Sequence, residues 1–366
     1  MTLLPQARLA DDYTIPCLIK GGWQLAGGHG DVDAAAAMRD MLAFTDAGIT
    51  AFDCADIYTG VEELIGRFIR ERRNLRGSDA PPVRVHTKCV PDLDALPTLT
   101  RADLVRIIDR SLQRLGVDRL DLVQFHWWDY DIPGVVDAAM HLTELQRMGK
   151  IHHLGATNFD TVHLGAVLDA GVPLVSHQVQ VSVLDGRALG EMATLCASRG
   201  VTLLAYGALA GGFLHERWLG VPEPVMPLEN RSLVKYKLII DDSGGWAHFQ
   251  TLLQLLHRIA LAHETTIGAV ALCHVLDQPV VAAAIVGARS TAHLAPTVAA
   301  TRLSLTSEER ATLTALIASA RGPVGDVYAL EREKGGRHAS IMRYNLNTAR
   351  SPSRGHPIKG SEFLNP

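Results

Sequence analysis

Eight short apolar runs, each followed by a stretch of helical periodicity, constrain this chain more than any other feature of it. The runs lie at 17–19, 50–53, 83–88, 120–125, 151–156, 174–179, 201–206 and 282–286. Between 61 and 69, Val61, Leu64, Ile65, Phe68 and Ile69 fall at i, i+3, i+4, i+7 and i+8, one stripe of a helix. Thr100 with Asp103, and Thr306 with Glu309, have the spacing of capping boxes that open helices. Gly48 and Gly116 stand where helices should stop. Further helices are expected near 31–47, 135–148, 161–170, 187–199, 246–264, 266–277 and 307–320.

Strands alternating with helices through short links build parallel sheets, and eight such units close a (β/α)8 TIM barrel. A doubly wound open sheet is the alternative, but no G-x-G-x-x-G follows the first run, as its dinucleotide-binding form requires. The 366 residues hold one barrel of about 250 residues plus extensions. The expected division is a barrel over 1–320, with a long irregular loop after strand seven (207–245), and a tail over 321–366 partly packed near the substrate pocket.

In such a barrel, side chains at the carboxyl ends of the strands face one shared site. Strand two ends at Asp53, with Tyr58 on its loop; strand three ends at Lys88; strand four delivers His126. Strands five to eight end at Thr157-Asn158, Gln178, Tyr206 and Gly287-Ala288-Arg289. A phenol is a poor acid near neutrality unless a cation stabilises its phenolate. Lys88 supplies such a charge, Asp53 can hold the lysine, and His126 can orient a substrate oxygen. The set suits protonation of a developing alkoxide.

Composition narrows the partners. A net charge of −4 and 20% charged residues favour neither nucleic acid nor an anionic membrane. The amino-terminal residues lack a signal-peptide pattern, and apolar runs such as 280–286 are far shorter than the roughly 18 residues of a membrane span. Cys17, Cys54, Cys89, Cys196 and Cys273 are odd in number and scattered, as expected of reduced thiols in a soluble, cytoplasmic chain. His152 and His153, as strand neighbours, are expected on opposite faces, and no metal site is expected. His86 is expected in the core. Oligomeric state is not legible.

Phe52-Asp53-Cys54-Ala55-Asp56-Ile57-Tyr58 resembles the F-D-T-A-x-x-Y motif of the aldo-keto reductases. Thr87-Lys88, Phe125-His126, Gly149-Lys150-Ile151 through Gly155-x-x-Asn158, and Ile285-Val286-Gly287-Ala288-Arg289 match that family's later motifs in order. The resemblance implies an NAD(P)H-dependent oxidoreductase acting on a small carbonyl or alcohol, with Tyr58 as general acid supported by Asp53, Lys88 and His126. It also implies that Gly22, Trp23 and Asp53 border the cofactor, and that Thr157, Asn158 and Gln178 hold its carboxamide end. Tyr206 would then stack on the nicotinamide, with Gly207, Leu209, Gly211 and Gly212 around the pyrophosphate. Gly287, Ala288, Arg289, His293 and Thr297 would surround the adenosine.

The chain departs from the family at that adenosine end: Gly287 and Ala288 stand where many members have lysine and serine, and His293, Pro296 and Thr297 replace an arginine and Glu-Asn. Arg289 alone offers a cation for a 2′-phosphate, which leaves NADPH or NADH with a slight lean to NADPH. Trp23, Tyr58, His126, Trp127 and Trp128 are the expected substrate walls. Arg231, Lys235, Tyr236 and Lys237 on the long loop are expected over the site. The alternative is a nucleotide-sensing or regulatory subunit whose catalysis has been lost, although the four proton-handling residues are complete.

Overall fold

In the computed structural model, which describes residues 4–26, 32–77, 80–226, 228–287 and 290–347, all eight apolar runs become strands. They are β3 (Leu18–Gly21), β4 (Ala51–Asp53), β5 (Arg84–Cys89), β6 (Leu120–Phe125), β7 (Ile151–Thr157), β8 (Leu174–Gln180), β9 (Thr202–Tyr206) and β10 (Val281–Gly287). All pair in parallel, and β10 pairs with both β9 and β3, so the sheet closes. The helices between them are α1 (Ala34–Asp46), α2 (Val61–Arg76), α3 (Arg101–Leu115), α4 (Val135–Arg147), α5 (Thr161–Asp169) and α6 (Glu191–Arg199). The fold is the (β/α)8 barrel expected from the alternation. Thr100 forms its capping box with Asp103, and α3 stops at Gly116 in the left-handed conformation.

The interior of the barrel is closed from below by an element the periodicity did not reveal. β1 (Gln6–Ala10) and β2 (Tyr13–Pro16) form an antiparallel hairpin. Its Leu9, Tyr13 and Ile15 pack with Ile19, Ala51, Leu122, Leu204 and Ala283 of the barrel strands. Each hairpin strand is too short for a clear alternation, and the Asp11-Asp12 turn was its only mark. That turn also changes the reading of the paired histidines: Nε2 of His152 and of His153 approach separate oxygens of Asp12, at 2.8 and 3.0 Å. The two rings lie 4.1 Å apart, drawn to one side by a single carboxylate.

The segment expected to be irregular after β9 contains a three-turn helix, α7 (Arg231–Asp242), capped by Asn230. Leu233, Ile239 and Ile240 anchor it to α8 (Gly245–Ala262) and α9 (Ile267–Leu276) in a second core with Phe213, Trp246 and Phe249. α10 (Leu294–Ala300), α11 (Ser307–Ser319) and the short α12 (Ala329–Arg332) complete the described chain. No single helix among the described residues is long and apolar enough to cross a membrane.

Candidate active site

Asp53, the last residue of β4, is buried, and both of its oxygens accept from Lys88 Nζ at 2.5 Å. Lys88 also donates to the Cys54 carbonyl at 2.8 Å. Burying two charges is costly unless they pair closely, and here they do. Gln178, from β8, donates its amide to Asp53 at 3.0 Å and to Gln124 Oε1 at 2.8 Å. The barrel stagger brings about this meeting. Asp53 is level with His86 in the ladder, and Lys88 stands two residues further along β5, at the rim.

Tyr58 sits on a turn beyond β4, where its amide donates to the Ala55 carbonyl at 3.0 Å. Its ring meets Trp23 edge-on at 5.1 Å, and Lys88 Nζ lies 5.2 Å from the ring centre. Burial, then the negative charge of Asp53, pushes the phenol well above its ordinary pKa. It is therefore held protonated near neutrality.

His126 directly follows β6 and is buried, with Trp128 at 4.3 Å and Tyr328 at 5.7 Å, both edge-on. Its Nδ1 lies 3.0 Å from the Thr157 carbonyl. A carbonyl oxygen only accepts, so Nδ1 carries a proton. Burial and the nearby Arg332 charge lower the imidazole to about 3, which keeps the ring neutral. Nε2, which has no hydrogen-bond partner among the described residues, is then a bare acceptor.

Around the same cavity of about 650 Å³ lie Gly22, Trp23, Asp53, Tyr58, Lys88, His126, Trp128, Thr157, Asn158, Gln178 and Tyr206. Gly207, Leu209, Gly211, Gly212, Gly287, His293 and Thr297 extend its lining. Ala288 and Arg289 lie outside the described residues. Gly22 is required by close approach: a Cβ there would stand 2.7 Å from the Asp53 carbonyl and 2.9 Å from Val61. Asn158 adopts a positive φ of 60°, and its Oδ1 accepts from the Tyr206 hydroxyl at 2.9 Å.

Trp127 is the exception among the expected substrate walls. Strand alternation turns it away from His126 and out of the cavity; it is 1% exposed and packs on Phe125. Its indole donates to the Asp129 carbonyl at 3.0 Å. Lys237 likewise faces away, paired with Glu223 and Asp241.

Of the loop residues expected over the site, Arg231, Lys235 and Tyr236 line the cavity from α7, and the residues that sequence reasoning did not assign come from the tail. Lys235 lies 3.4 Å from the Tyr206 hydroxyl and 3.6 Å from buried Glu331, which also approaches Arg187 at 3.5 Å. Burial works against the Lys235 charge, but Glu331 and neighbouring phenols hold its pKa above the ordinary lysine value. Arg332 donates to the carbonyls of Trp128, Trp127 and Asn158 at 3.1, 2.8 and 2.8 Å, which ties the tail to the ends of β6 and β7. The Val324-Gly325-Asp326-Val327-Tyr328 stretch was the available signal, because an unstructured tail seldom contains such apolar residues.

A barrel whose strand ends gather a tyrosine, a buried Lys–Asp pair and a histidine on one cavity defines a class of nucleotide-dependent carbonyl oxidoreductases. Residues 17–318 match the model of the aldo/keto reductase family, and the chain belongs to that family. It is 30% identical over 262 residues to flagellar radial spoke protein 5 of Chlamydomonas reinhardtii, covering 61% of this chain but only 49% of that protein. Chloroplastic pyridoxal reductase of Arabidopsis thaliana is 30% identical over 277 residues, 72% of this chain and 71% of the relative. The structure of an aldo/keto reductase from Klebsiella pneumoniae, in complex with NADP and acetate, superposes with a TM-score of 0.66 at 23% identity. The match covers 88% of this chain and 98% of that one. Members of the family are oxidoreductases that act on small carbonyl compounds with NAD(P)H.

Proposed function

We propose that this chain catalyses hydride exchange between NAD(P)H and an aldehyde or ketone, an activity of the EC 1.1.1 type, with Tyr58 as the proton donor. The cavity suits the nucleotide: it holds about 650 Å³, is lined by Gly207, Gly211 and Gly212, and includes the amide side chains of Asn158 and Gln178. Asn158 and Gln178 would hold the carboxamide. Gln178 keeps its Oε1 for that purpose, since its amide nitrogen is committed to Asp53 and Gln124. Tyr206 would pack against the nicotinamide, and the backbone at Gly207, Leu209, Gly211 and Gly212 would approach the pyrophosphate. Gly287, His293 and Thr297 would border the adenosine, with Ala288 and Arg289 assigned there from sequence alone. When bound, the reduced nicotinamide supplies the hydride.

Tyr58 donates its phenolic proton to the carbonyl oxygen as that oxygen gains charge, and the phenolate left behind lies beside the Lys88 cation. Asp53 keeps Lys88 in place. His126 acts as an acceptor, because its only N–H goes to Thr157. This arrangement suits a substrate with a hydroxyl next to the reacting carbon, or the alcohol product itself, and it supports running the reaction in the direction of alcohol oxidation as well. Trp23 and Trp128 form the walls of the substrate side.

The observation that carries this reading is the convergence of Tyr58, the Asp53–Lys88 pair and the bare Nε2 of His126 on one cavity. The test is turnover of a carbonyl panel with NADPH and with NADH, for the wild type and Tyr58→Phe. The variant should lose at least about a hundredfold in kcat while nucleotide binding, followed by tryptophan fluorescence, persists. Unchanged turnover would remove Tyr58 from its role. Tight nucleotide binding by the wild type without turnover on any carbonyl would instead favour a regulatory, nucleotide-sensing protein.

A further inference from the structure

The cavity carries positive charge that the proton-transfer residues do not use. Its charged lining over its whole extent is Asp53, Lys88, Glu216, Arg217, Arg231, Lys235 and Arg343. Three of these cations are accounted for: Lys88 is paired with Asp53, Lys235 with Glu331, and Arg217 stacks on Trp218 beside the glycine loop. Glu216 is turned to the amide of Ile267, at 2.6 Å. Arg231 and Arg343 remain. Neither is paired with a carboxylate among the described residues, and burial first, then the Arg343 charge, lowers the Arg231 pKa.

Their position relative to the proton donor follows from a chain of contacts. Arg231 is the first residue of α7, and Ser232, next to it, accepts from the indole of Trp23 at 3.3 Å. Trp23 in turn touches Tyr58. From the other side, the Arg231 guanidinium donates to the Ile341 carbonyl, two residues before Arg343. Tyr328, which packs on His126, reaches Met342 Sδ with its hydroxyl at 3.8 Å. The two arginines therefore line the same cavity as Tyr58 and His126 and are linked to them through Trp23 on one side and Tyr328 on the other. Two like charges held together without a counter-ion repel each other, an arrangement an incoming anion relieves, and α7 directs its positive end to the same place.

We propose that Arg231 and Arg343 form a subsite for an anionic group of the substrate, so that the preferred substrates are aldehydes or ketones carrying a carboxylate or a phosphate. This inference rests on the carbonyl-reductase reading of the same cavity. Arg231, held against Ile341, positions the anion, and Arg343, on the exposed rim, completes the clamp. The clamp binds the substrate without entering the chemical step, so its removal should act on KM more than on kcat.

The test uses matched pairs on the whole chain: 4-carboxybenzaldehyde against benzaldehyde, succinic semialdehyde against butanal, and glyceraldehyde 3-phosphate against glyceraldehyde. The wild type should favour the charged member by tenfold or more in kcat/KM, and the carboxylate and phosphate arms show which anion fits. In Arg343→Glu that ratio should invert, through a rise in KM for the charged member. In Arg231→Gln it should fall towards one, and Arg231→Lys should restore part of it. Equal kcat/KM within each pair, or a parallel fall for both members in the variants, would overturn the subsite. Should no carbonyl be turned over, the reductase reading fails by itself. The subsite is then decided by calorimetric titration of the nucleotide-loaded protein with 4-carboxybenzaldehyde and benzaldehyde: tighter binding of the charged compound that is lost in Arg343→Glu upholds it, and equal binding overturns it.

Discussion

Mild acid should destabilise this barrel through three buried histidines, and a buried aspartate should conceal about half of the loss. His86, His126 and His177 are each lowered to about 3, chiefly by burial. In the unfolded chain each titrates near 6.5. Because the folded pKa is depressed, acidification protonates the unfolded state first; the stability is fully present above 6.5 and is lost as pH falls towards 3. Between pH 7.5 and 5.5 each histidine should cost somewhat over 1 kcal/mol, roughly 4 kcal/mol for the three. Asp56 acts in the opposite direction. Burial first, then Glu62, raises it to about 7, so over the same range the folded state takes up a proton that the unfolded carboxylate does not bind. That gain is about 2 kcal/mol, leaving a net loss of about 2 kcal/mol.

The assay is urea unfolding of the full chain at pH 7.5, 6.5 and 5.5. The two contributions separate in variants. Asp56→Asn, which keeps an acceptor for the Val90 amide, removes the offset and should double the loss to roughly 4 kcal/mol. His86→Leu replaces a ring whose nitrogens have no hydrogen-bond partner among the described residues, and should reduce the wild-type loss by about 1 kcal/mol. Stability that stays level or rises between pH 7.5 and 5.5 in Asp56→Asn would refute the reasoning.

Two further outcomes test how the site is held. Arg332→Ala removes the donor to three carbonyls and a guanidinium 4.3 Å above the Tyr130 ring, and should cost about 3 kcal/mol; the variant should also be cleaved by protease near 329–332 before the barrel unfolds, and a wild-type cleavage pattern would contradict the tail's role. Gly22→Ala places a Cβ against the Asp53 carbonyl and should weaken nucleotide binding and turnover together, at a stability cost of about 1–3 kcal/mol; unaltered nucleotide titrations would show that the β3 turn gives way freely.

Much of the site was legible because a barrel places function at predictable points. Asp53, Lys88, His126, Gln178 and Tyr206 each close or follow an apolar run, and closure of the sheet alone makes neighbours of them. Trp127 and Trp128 show where this legibility ended. Both follow the same strand, yet pleat and packing send one to the core and the other to the cavity. α7 was hidden because prolines and glycines surround it, while its apolar face packs on α8 and α9 in a core separate from the barrel's.

Periodicity and strand-end chemistry, both local properties of the chain, thus sufficed for the barrel, the order of its strands and the meeting of Asp53, Tyr58, Lys88 and His126 on one cavity. The tertiary structure decided the rest. It assigned His126 its tautomer through the Thr157 carbonyl, closed the barrel floor with the hairpin, and brought Tyr328 and Arg332 onto the rim. It also brought Arg231 onto the Ile341 carbonyl, two residues before Arg343 and more than a hundred residues away in the chain. Each of these depends on contacts between distant segments, whose energy comes from burial and complementary charge across elements and leaves no periodic trace in the sequence.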